Sequence, residues 1–308
     1  MTVNDAAPAQ ATDITVNLDG LWLLQALLGI TRLAPELRAR PYGEPRSPSQ
    51  QHWATQHPEL HILVDQGMCD AEGVVRADIA ARMAVLAAPD VEVIVLVSAG
   101  PMNWAPQVSL SDPSTWRAIP DEQLRIVLAR RQGRWASAVR AGGHITIDDC
   151  PGGDEERLGR LVFEALDASH PIGPARISPL NVPLDDMCAA VAQRSTHGTT
   201  NREAALRALG LRGAALAELR AALDEPVAEA VLYARAYVDA ATAMSESVLN
   251  LRDTASGRVA MYRLAPPRGS HQQWMAIGPA TAPQVRHGIT TVLGSVPVRS
   301  WNTHDRMA

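Results

Sequence analysis

The chain has 308 residues, 46% of them hydrophobic and 20% charged, which is ordinary for a globular protein. Its net charge of −5 argues against a nucleic-acid partner, since such proteins usually carry a basic stripe. No stretch approaches the roughly 20 apolar residues of a membrane span, and residues 1–12 lack the basic and apolar regions of a signal peptide. We therefore expect a cytoplasmic protein whose residues 1–12 are disordered.

The first half of the chain predicts a strand, helices, four strands and a helix, in that order. An alternating strand begins at Ile14, and Asp19 is expected to cap an apolar helix that ends at Gly29. The β-branched run Val91–Val97 is typical of a central strand. The other predicted elements are helices at about Pro58–Gln66 and Val74–Ala87, strands at Leu124–Arg130, Arg134–Arg140 and His144–Asp148, and a helix after Asp154.

Two segments of the first half show no periodic pattern. Residues 40–51 contain three prolines and are predicted to form an exposed loop. Residues 98–122 contain four prolines together with Trp104 and Trp116. Loops of this length are uncommon in compact domains unless they are functional or disordered, and tryptophan is enriched at interface hot spots. The second segment is therefore either a binding loop or a loop whose tryptophans pack onto the sheet.

The second half of the chain repeats the same order of elements. Asn181–Leu184 leads into an amphipathic helix, as residues 17–19 do in the first half. The further predicted elements are helices near Asn201–Leu209 and Gly213–Leu223, strands at about Ala228–Val238, Ser247–Arg252, Arg258–Leu264 and Gln273–Ile277, and a final helix over Ala282–Gly294.

Three local matches indicate that the two halves arose by duplication. They relate Leu86-x-x-Pro89-x-x-Glu92 to Leu223-x-x-Pro226-x-x-Glu229, Gly133-Arg134-x-Ala136 to Gly257-Arg258-x-Ala260, and Leu18-Asp19 to Leu184-Asp185. Tight turns join consecutive strands only in the antiparallel sense. We therefore expect an α+β fold with a central antiparallel β-sheet and two helical bundles in pseudo-two-fold arrangement. Residues 13–308 would form one domain, with halves at about 13–176 and 177–308.

No motif predicts a catalytic, cofactor-binding or metal site. The glycine clusters fit neither a dinucleotide loop nor a phosphate-binding loop, and no nucleophile elbow is present. His52, His57 and His61 lie close in sequence, but no neighbouring Cys, Asp or Glu completes a metal pattern. The acidic residues within 148–156 are explained by capping of the following helix. We therefore expect a protein that is not an enzyme and that needs no cofactor or metal.

Six segments spread from residue 14 to the C-terminal region resemble a known family. They are Ile14–Leu28, Ala80–Glu92, Ile126–Arg131, Trp135–Arg140, Asn181–Pro183 and Trp301–His304. The family is that of the EspG proteins, chaperones of mycobacterial type VII (ESX) secretion. The segments are most similar to the branch that serves the third ESX system. Residues 40–51 and 98–122 depart most from the family pattern.

The resemblance implies a cytosolic chaperone that binds a PE–PPE heterodimer at the apolar tip of the PPE protein and keeps it soluble until secretion. It implies no cofactor. We expect residues 98–122, the strand at 124–130 and the helices at 206–223 to form the binding face. The expected contact residues are Met102, Trp104, Trp116, Arg125, Leu206, Leu209 and Leu211.

Two other classes of protein stay open at this point. A small-molecule-binding or enzymatic α+β domain would need a cleft with converging polar residues. A self-associating structural protein would pair through exposed sheet edges, and a weak homodimer is compatible with the chaperone as well. The sequence also leaves open which of the two halves provides the binding face.

Overall fold

One eleven-stranded sheet runs through the computed structural model, which describes residues 13–43, 53–102, 123–192, 199–239, 241–265, 269 and 271–306. Within these residues, strands β1 to β11 cover Ile14–Asn17, Val91–Ala99, Gln123–Arg131, Arg134–Ala141, His144–Asp149, Leu180–Pro183, Ala228–Val238, Ala241–Met244, Leu249–Asp253, Arg258–Leu264 and Trp274–Pro279. Helices α1 to α8 cover Leu18–Leu28, Leu60–Asp65, Ala77–Ala87, Glu155–Ser169, Leu184–Ala192, Thr199–Ala208, Gly213–Asp224 and Ala282–Gly294.

The strand order is the same when it is followed outward from the centre in either direction. It runs β1-β5-β4-β3-β2-β7-β9-β10-β11-β6, with β8 paired to the end of β7. All these neighbouring strands are antiparallel, and β2 and β7 meet in the middle from Val91–Ala236 to Ala99–Ala228. The predicted α+β class and the central antiparallel sheet are confirmed. The origin of the halves by duplication stays a prediction.

Alternate residues of the strands face helices on opposite sides of the sheet, as the strand pleat requires. Val95 of β2 packs in the cluster under α4 and α8, whereas its neighbour Ile94 packs with α1, α2 and α3. Met261 of β10 packs with α5, α6 and α7, and the strand register places it on the same face as Ile94. We call this side, which carries two helical groups at opposite ends, the bundle face.

One of the three sequence matches between the halves is wrong. Glu92 and Glu229 occupy the second positions of the two central strands, and both are buried, so that match agrees with the sheet. Ala136, however, packs against the bundle-face helices α1–α3, whereas Ala260 packs under α4 and α8. A shift of one residue exchanges the two faces of a strand, so these two alanines are not equivalent.

Local capping chemistry defines the helix ends, with one correction. Asn17, not Asp19, caps α1, because β1 continues directly into the helix and the Asn17 side chain accepts from the Gly20 N–H at 2.6 Å. Asp19 lies in the first turn, where a negative charge favours the helix dipole. Gly29 ends α1 in the left-handed conformation, as predicted (φ 66°).

The remaining differences from the sequence-based elements are small. Strand β8, Ala-Thr-Ala-Met, was not predicted because it has a single β-branched residue. The helix predicted from Val74 begins at Ala77, and the strand predicted from Ser247 begins at Leu249. The predicted disorder of residues 1–12 and most of the predicted loops at 40–51 and 98–122 fall on residues outside the described ranges.

The C-terminal residues return to the first half after α8. The guanidinium of Arg130, at the end of β3, donates to the carbonyls of Asn302 and His304. The Asp90 carboxylate, just before β2, accepts from the Arg306 N–H at 3.0 Å. This tail therefore ties the end of the second half to the centre of the first.

The close approach at Gly257 gives a test of the packing between β10 and the segment that follows α4. A Cβ at Gly257 would lie 2.4 Å from the Ala175 Cα, and backbone cannot yield as a side chain can. We expect Gly257→Ala to lower the free energy of unfolding, measured by urea denaturation, by about 2–3 kcal/mol. Gly143→Ala is the control, because nothing lies within 4 Å of its added carbon. Equal denaturation midpoints for the two variants would contradict the model of this contact.

Candidate functional site

Each half forms a groove on the bundle face, between the helix that follows its edge strand and the strands beside it. α1 follows β1 without an intervening residue, and α5 follows β6 in the same way. Arg140 pairs with the second residue of β5, and Arg263 pairs with the second residue of β11. Gln25 and Val191 are the eighth residues of α1 and α5. Arg140 and Gln25 in the first half are therefore equivalent in position to Arg263 and Val191 in the second.

The first-half groove is filled by the chain's own residues 34–42, which we call the 34–42 segment. The segment turns through a single 3₁₀ turn, Pro35–Leu37. The Leu37 side chain is fully buried among the apolar residues of α1, β3 and β4. Tyr42 packs edge-on against Trp22 of α1, with ring centroids 6.4 Å apart. The segment therefore belongs to the core of the first half.

Main-chain carbonyls hold the 34–42 segment in place. Three side chains of the groove donate to them: Arg125 to the carbonyl of Glu36 at 2.9 Å, Arg140 to those of Leu37 at 2.5 Å and Arg38 at 2.8 Å, and Gln25 to that of Arg40 at 3.1 Å. Buried polar groups are costly when they lack hydrogen bonds. The segment and the groove therefore satisfy each other.

The electrostatics of the first-half groove also require the segment. Arg125 and Arg140 lie directly opposite each other on β3 and β4, and both are buried. Burial lowers the pKa of Arg140 to about 10, and the charges of Arg125 and Arg38 lower it further. Burial, followed by the charge of Arg38, also lowers the pKa of Arg125. The carbonyl dipoles of the 34–42 segment are thus needed to offset two adjacent buried cations.

Glu36 anchors the same segment to the two central strands. Its carboxylate accepts from both Nη atoms of Arg235 at 3.0 and 2.9 Å, and from the Tyr233 hydroxyl at 2.7 Å. Arg235 also donates to the buried Glu92, which accepts from the Tyr237 hydroxyl at 2.7 Å. Burial raises the pKa of Glu92, and Arg235 opposes that effect. This closed network leaves no carboxylate directed at a cleft.

The second-half groove is open and has a volume of about 510 Å³. Its walls come from α5, the end of α7 and strands β9 to β11. Val191 and Val248, on opposite walls, are 38% and 37% exposed. Its apolar lining residues are Leu184, Met187, Val191, Leu223, Val248, Met261 and Met275. The same framework that encloses the 34–42 segment in the first half therefore presents apolar surface to solvent in the second.

Polar groups lie at the rim of the open groove. Arg263 pairs with the exposed carboxylate of Glu246 at 3.0 Å. Arg252 pairs with the buried Glu229 at 2.8 Å. The buried Oδ1 of Asn250, which lines the groove, has no hydrogen-bond partner. The groove is thus apolar inside, with one arginine and one amide acceptor available at its edges.

Two of the sequence-predicted contact residues lie near the end of β2 and the start of β3, and both are buried. Met102 is 8% exposed, and its N–H donates to Glu229 at 3.0 Å. Arg125 is 8% exposed and holds the 34–42 segment. Both residues therefore have structural roles in the isolated chain, and their contact with a partner stays a prediction.

The other predicted contact residues are divided between the second helical group and the long loop. Leu206 and Leu211 fill the core between α5, α6 and α7, at 0% and 3% exposed, and Leu209 is half-buried beside them. Trp104 and Trp116 lie outside the described residues. The structure does not bring this set together as one exposed patch within the ranges it describes.

Sequence reasoning missed the residues that line the open groove. The signal was available in the match of Leu18 to Leu184, since it aligns α1 with α5 and places Val191 at the position of Gln25. An apolar residue that replaces a buried amide indicates that the two helices face different surroundings. The groove itself, however, depends on the 34–42 segment covering one half only.

The described residues contain no cluster of three His, Cys, Asp or Glu side chains that would hold a metal ion. His57 accepts from the Glu59 N–H at 3.2 Å and packs against Trp22 and Trp53. No helix in those ranges combines the length and the apolar character that a bilayer crossing needs.

The two equivalent arginines provide a matched test of the grooves. We expect Arg140→Met to lower the free energy of unfolding by about 2–4 kcal/mol, because it leaves buried carbonyls without donors. Trypsin should then cleave earlier after Arg38 and Arg40, as the segment loosens. Arg263→Met is the control and should cost less than about 1 kcal/mol, since its partner Glu246 is exposed. Equal losses in the two variants would show that the grooves are held in the same way.

Comparison with known proteins identifies the family. The EspG family model matches residues 17–291. The ESX-5 secretion-associated proteins EspG5 of Mycobacterium marinum and Mycobacterium tuberculosis are each 42% identical over 297 residues, 96% of this chain and 98% of theirs. The solved structure of M. tuberculosis EspG5 in complex with a PE25–PPE41 dimer matches with a TM-score of 0.83 and 41% identity, over 96% of this chain and 100% of that one. These relatives belong to the fifth ESX system, so the expected similarity to the branch of the third system is wrong. The chain belongs to the EspG family.

Proposed function

We propose that this chain is a cytoplasmic chaperone that binds a PE–PPE dimer and delivers it to a type VII secretion system of the ESX-5 kind. The observation that carries the proposal is the likeness, over nearly the whole chain, to EspG5 solved in complex with PE25–PPE41. A relative at this level of identity keeps the sheet, both helical groups and the grooves between them.

The polar chemistry of the molecule supports a role in holding rather than in catalysis. Its most perturbed titratable groups, Glu92, Arg140, Tyr233 and Arg235, are satisfied by one another or by the 34–42 segment. Catalytic groups, in contrast, face a cleft that admits a substrate. The surface that remains open is an apolar groove, which suits a protein partner.

Self-association through sheet edges is less favoured by the structure. The two edge strands, β1 and β6, are only four residues long. β6 also contains Pro183, which has no N–H to offer to a neighbouring strand. Short edges with proline are typical devices against edge-to-edge pairing.

Co-expression with the PE25–PPE41 dimer tests the function. We expect the chain to elute from a size-exclusion column with both partners as one complex, and to lengthen the time for which the dimer stays in solution. A chain that elutes alone or as a homodimer, at the same position with and without the dimer, would refute the proposal.

The binding face expected from the family resemblance has its own test. We propose that residues 98–122, β3 and the helices at 206–223 contribute to it. Trp104→Glu and Leu209→Glu should each abolish co-purification with PE25–PPE41, since a buried charge at an interface costs more than the contact it replaces. Val238→Glu, at a 38% exposed site on the β7–β8 hairpin, is the control and should bind normally. Undiminished binding by both test variants would contradict this face.

A further inference from the structure

We propose that the second-half groove binds a short apolar turn of the partner in the way that the first-half groove binds the 34–42 segment. In this arrangement a leucine-sized side chain lies between α5 and β10, and a main-chain carbonyl accepts from Arg263. This inference rests on the proposed function for the identity of the partner, and on the two grooves of the chain for the mode of binding.

The first step is that the chain already contains one filled copy of this groove. Edge strand, following helix and flanking strands have the same order and register in both halves. Arg140 and Arg263 hold the same position, and so do Leu21 of α1 and Met187 of α5. In the first copy the occupant is a 3₁₀ turn with one fully buried leucine. The occupied groove therefore serves as a template for what the open groove accepts.

The second step concerns the apolar part of the ligand. The groove volume of about 510 Å³ lies within the range of about 300–1,000 Å³ that is usual for binding pockets. Met187, Met261 and Met275 line it, and methionine side chains adapt to ligands of different shape. Gln25 of the first half is replaced by Val191, so one amide that holds a carbonyl is lost. The ligand should accordingly be more apolar than the 34–42 segment.

The third step concerns the polar contacts that orient the ligand. Arg140 of the first groove donates to two carbonyls of the 34–42 segment. Arg263 instead binds Glu246, whose side chain is 58% exposed, and ion pairs of this kind contribute little free energy. Exchange of that pair for a partner carbonyl is therefore inexpensive. The buried Oδ1 of Asn250, which lacks a partner, would accept an N–H from the same turn.

A native thiol provides a direct readout of occupancy. Cys188 is exposed and lines the groove, whereas Cys69 is buried and Cys150 is half-buried on the opposite face of the sheet. Alkylation by N-ethylmaleimide, followed by mass spectrometry, measures the accessibility of each thiol. In the complex with PE25–PPE41 we expect Cys188 to react at least about tenfold more slowly than in the free chain, and Cys150 to react at its usual rate.

Substitutions on the groove walls test the same inference by affinity. Val191→Glu and Val248→Glu should each raise the Kd for PE25–PPE41 by about 10–100-fold, and Arg263→Gln by about 3–10-fold. Val74→Glu is the matched control, because Val74 is 66% exposed in the first half, away from the groove. All four positions are at least partly exposed, so the variants should keep the circular dichroism spectrum and melting temperature of the parent chain.

The outcomes separate this inference from the proposed function. If the complex forms but Cys188 keeps its reactivity and the wall variants bind normally, the groove is not the site, while the chaperone function stands. If the parent chain forms no complex with PE25–PPE41, the proposed function fails and the inference with it. Protection of Cys188 together with weakened binding by the wall variants supports both.

Discussion

The pairing of β2 with β7 is the interaction on which the rest of the structure depends. These two strands meet along the whole length of β2, and nearly every residue in both is buried. Glu92 and Arg235 lie opposite each other across this junction and join it to the 34–42 segment through Glu36. Separating the halves would expose two long apolar strand edges and a buried ion pair. The two halves therefore act as one cooperative unit.

Near-equivalent halves acquire different roles because only one of them is covered. In the first half, two opposed arginines are buried and need the carbonyls of the 34–42 segment, so that groove is closed by electrostatic necessity. In the second half, Arg263 is half-buried and finds its partner in a surface carboxylate. The corresponding groove can thus stay open at little cost in stability. A chaperone that binds and releases its substrate needs one such adaptable surface supported by a rigid frame.

Sequence patterns predicted the elements whose signals are local. The β-branched run Val91–Val97, the hairpin turn at Gln132-Gly133 and the final helix at Ala282–Gly294 are all found in the structure. The grooves were not predicted, because they depend on a segment packing against strands about 100 residues further along the chain. Arg125 illustrates the difference: a strand arginine is usually a surface residue, and only the fold shows that the 34–42 segment covers it. Short matching segments likewise identified the EspG family but assigned the wrong ESX branch.

The C-terminal tail has a consequence for how the molecule is made. Arg130 lacks its carbonyl partners until Asn302 and His304 have been synthesised, and β2 lacks its central neighbour until Ala228–Val238 emerges from the ribosome. Throughout most of translation the nascent chain therefore presents the valine-rich edge of β2 unpaired, a state prone to aggregation. The native sheet closes only after the last codons are read. A protein built to shield the apolar surfaces of others is thus, during its own synthesis, a client in need of shielding.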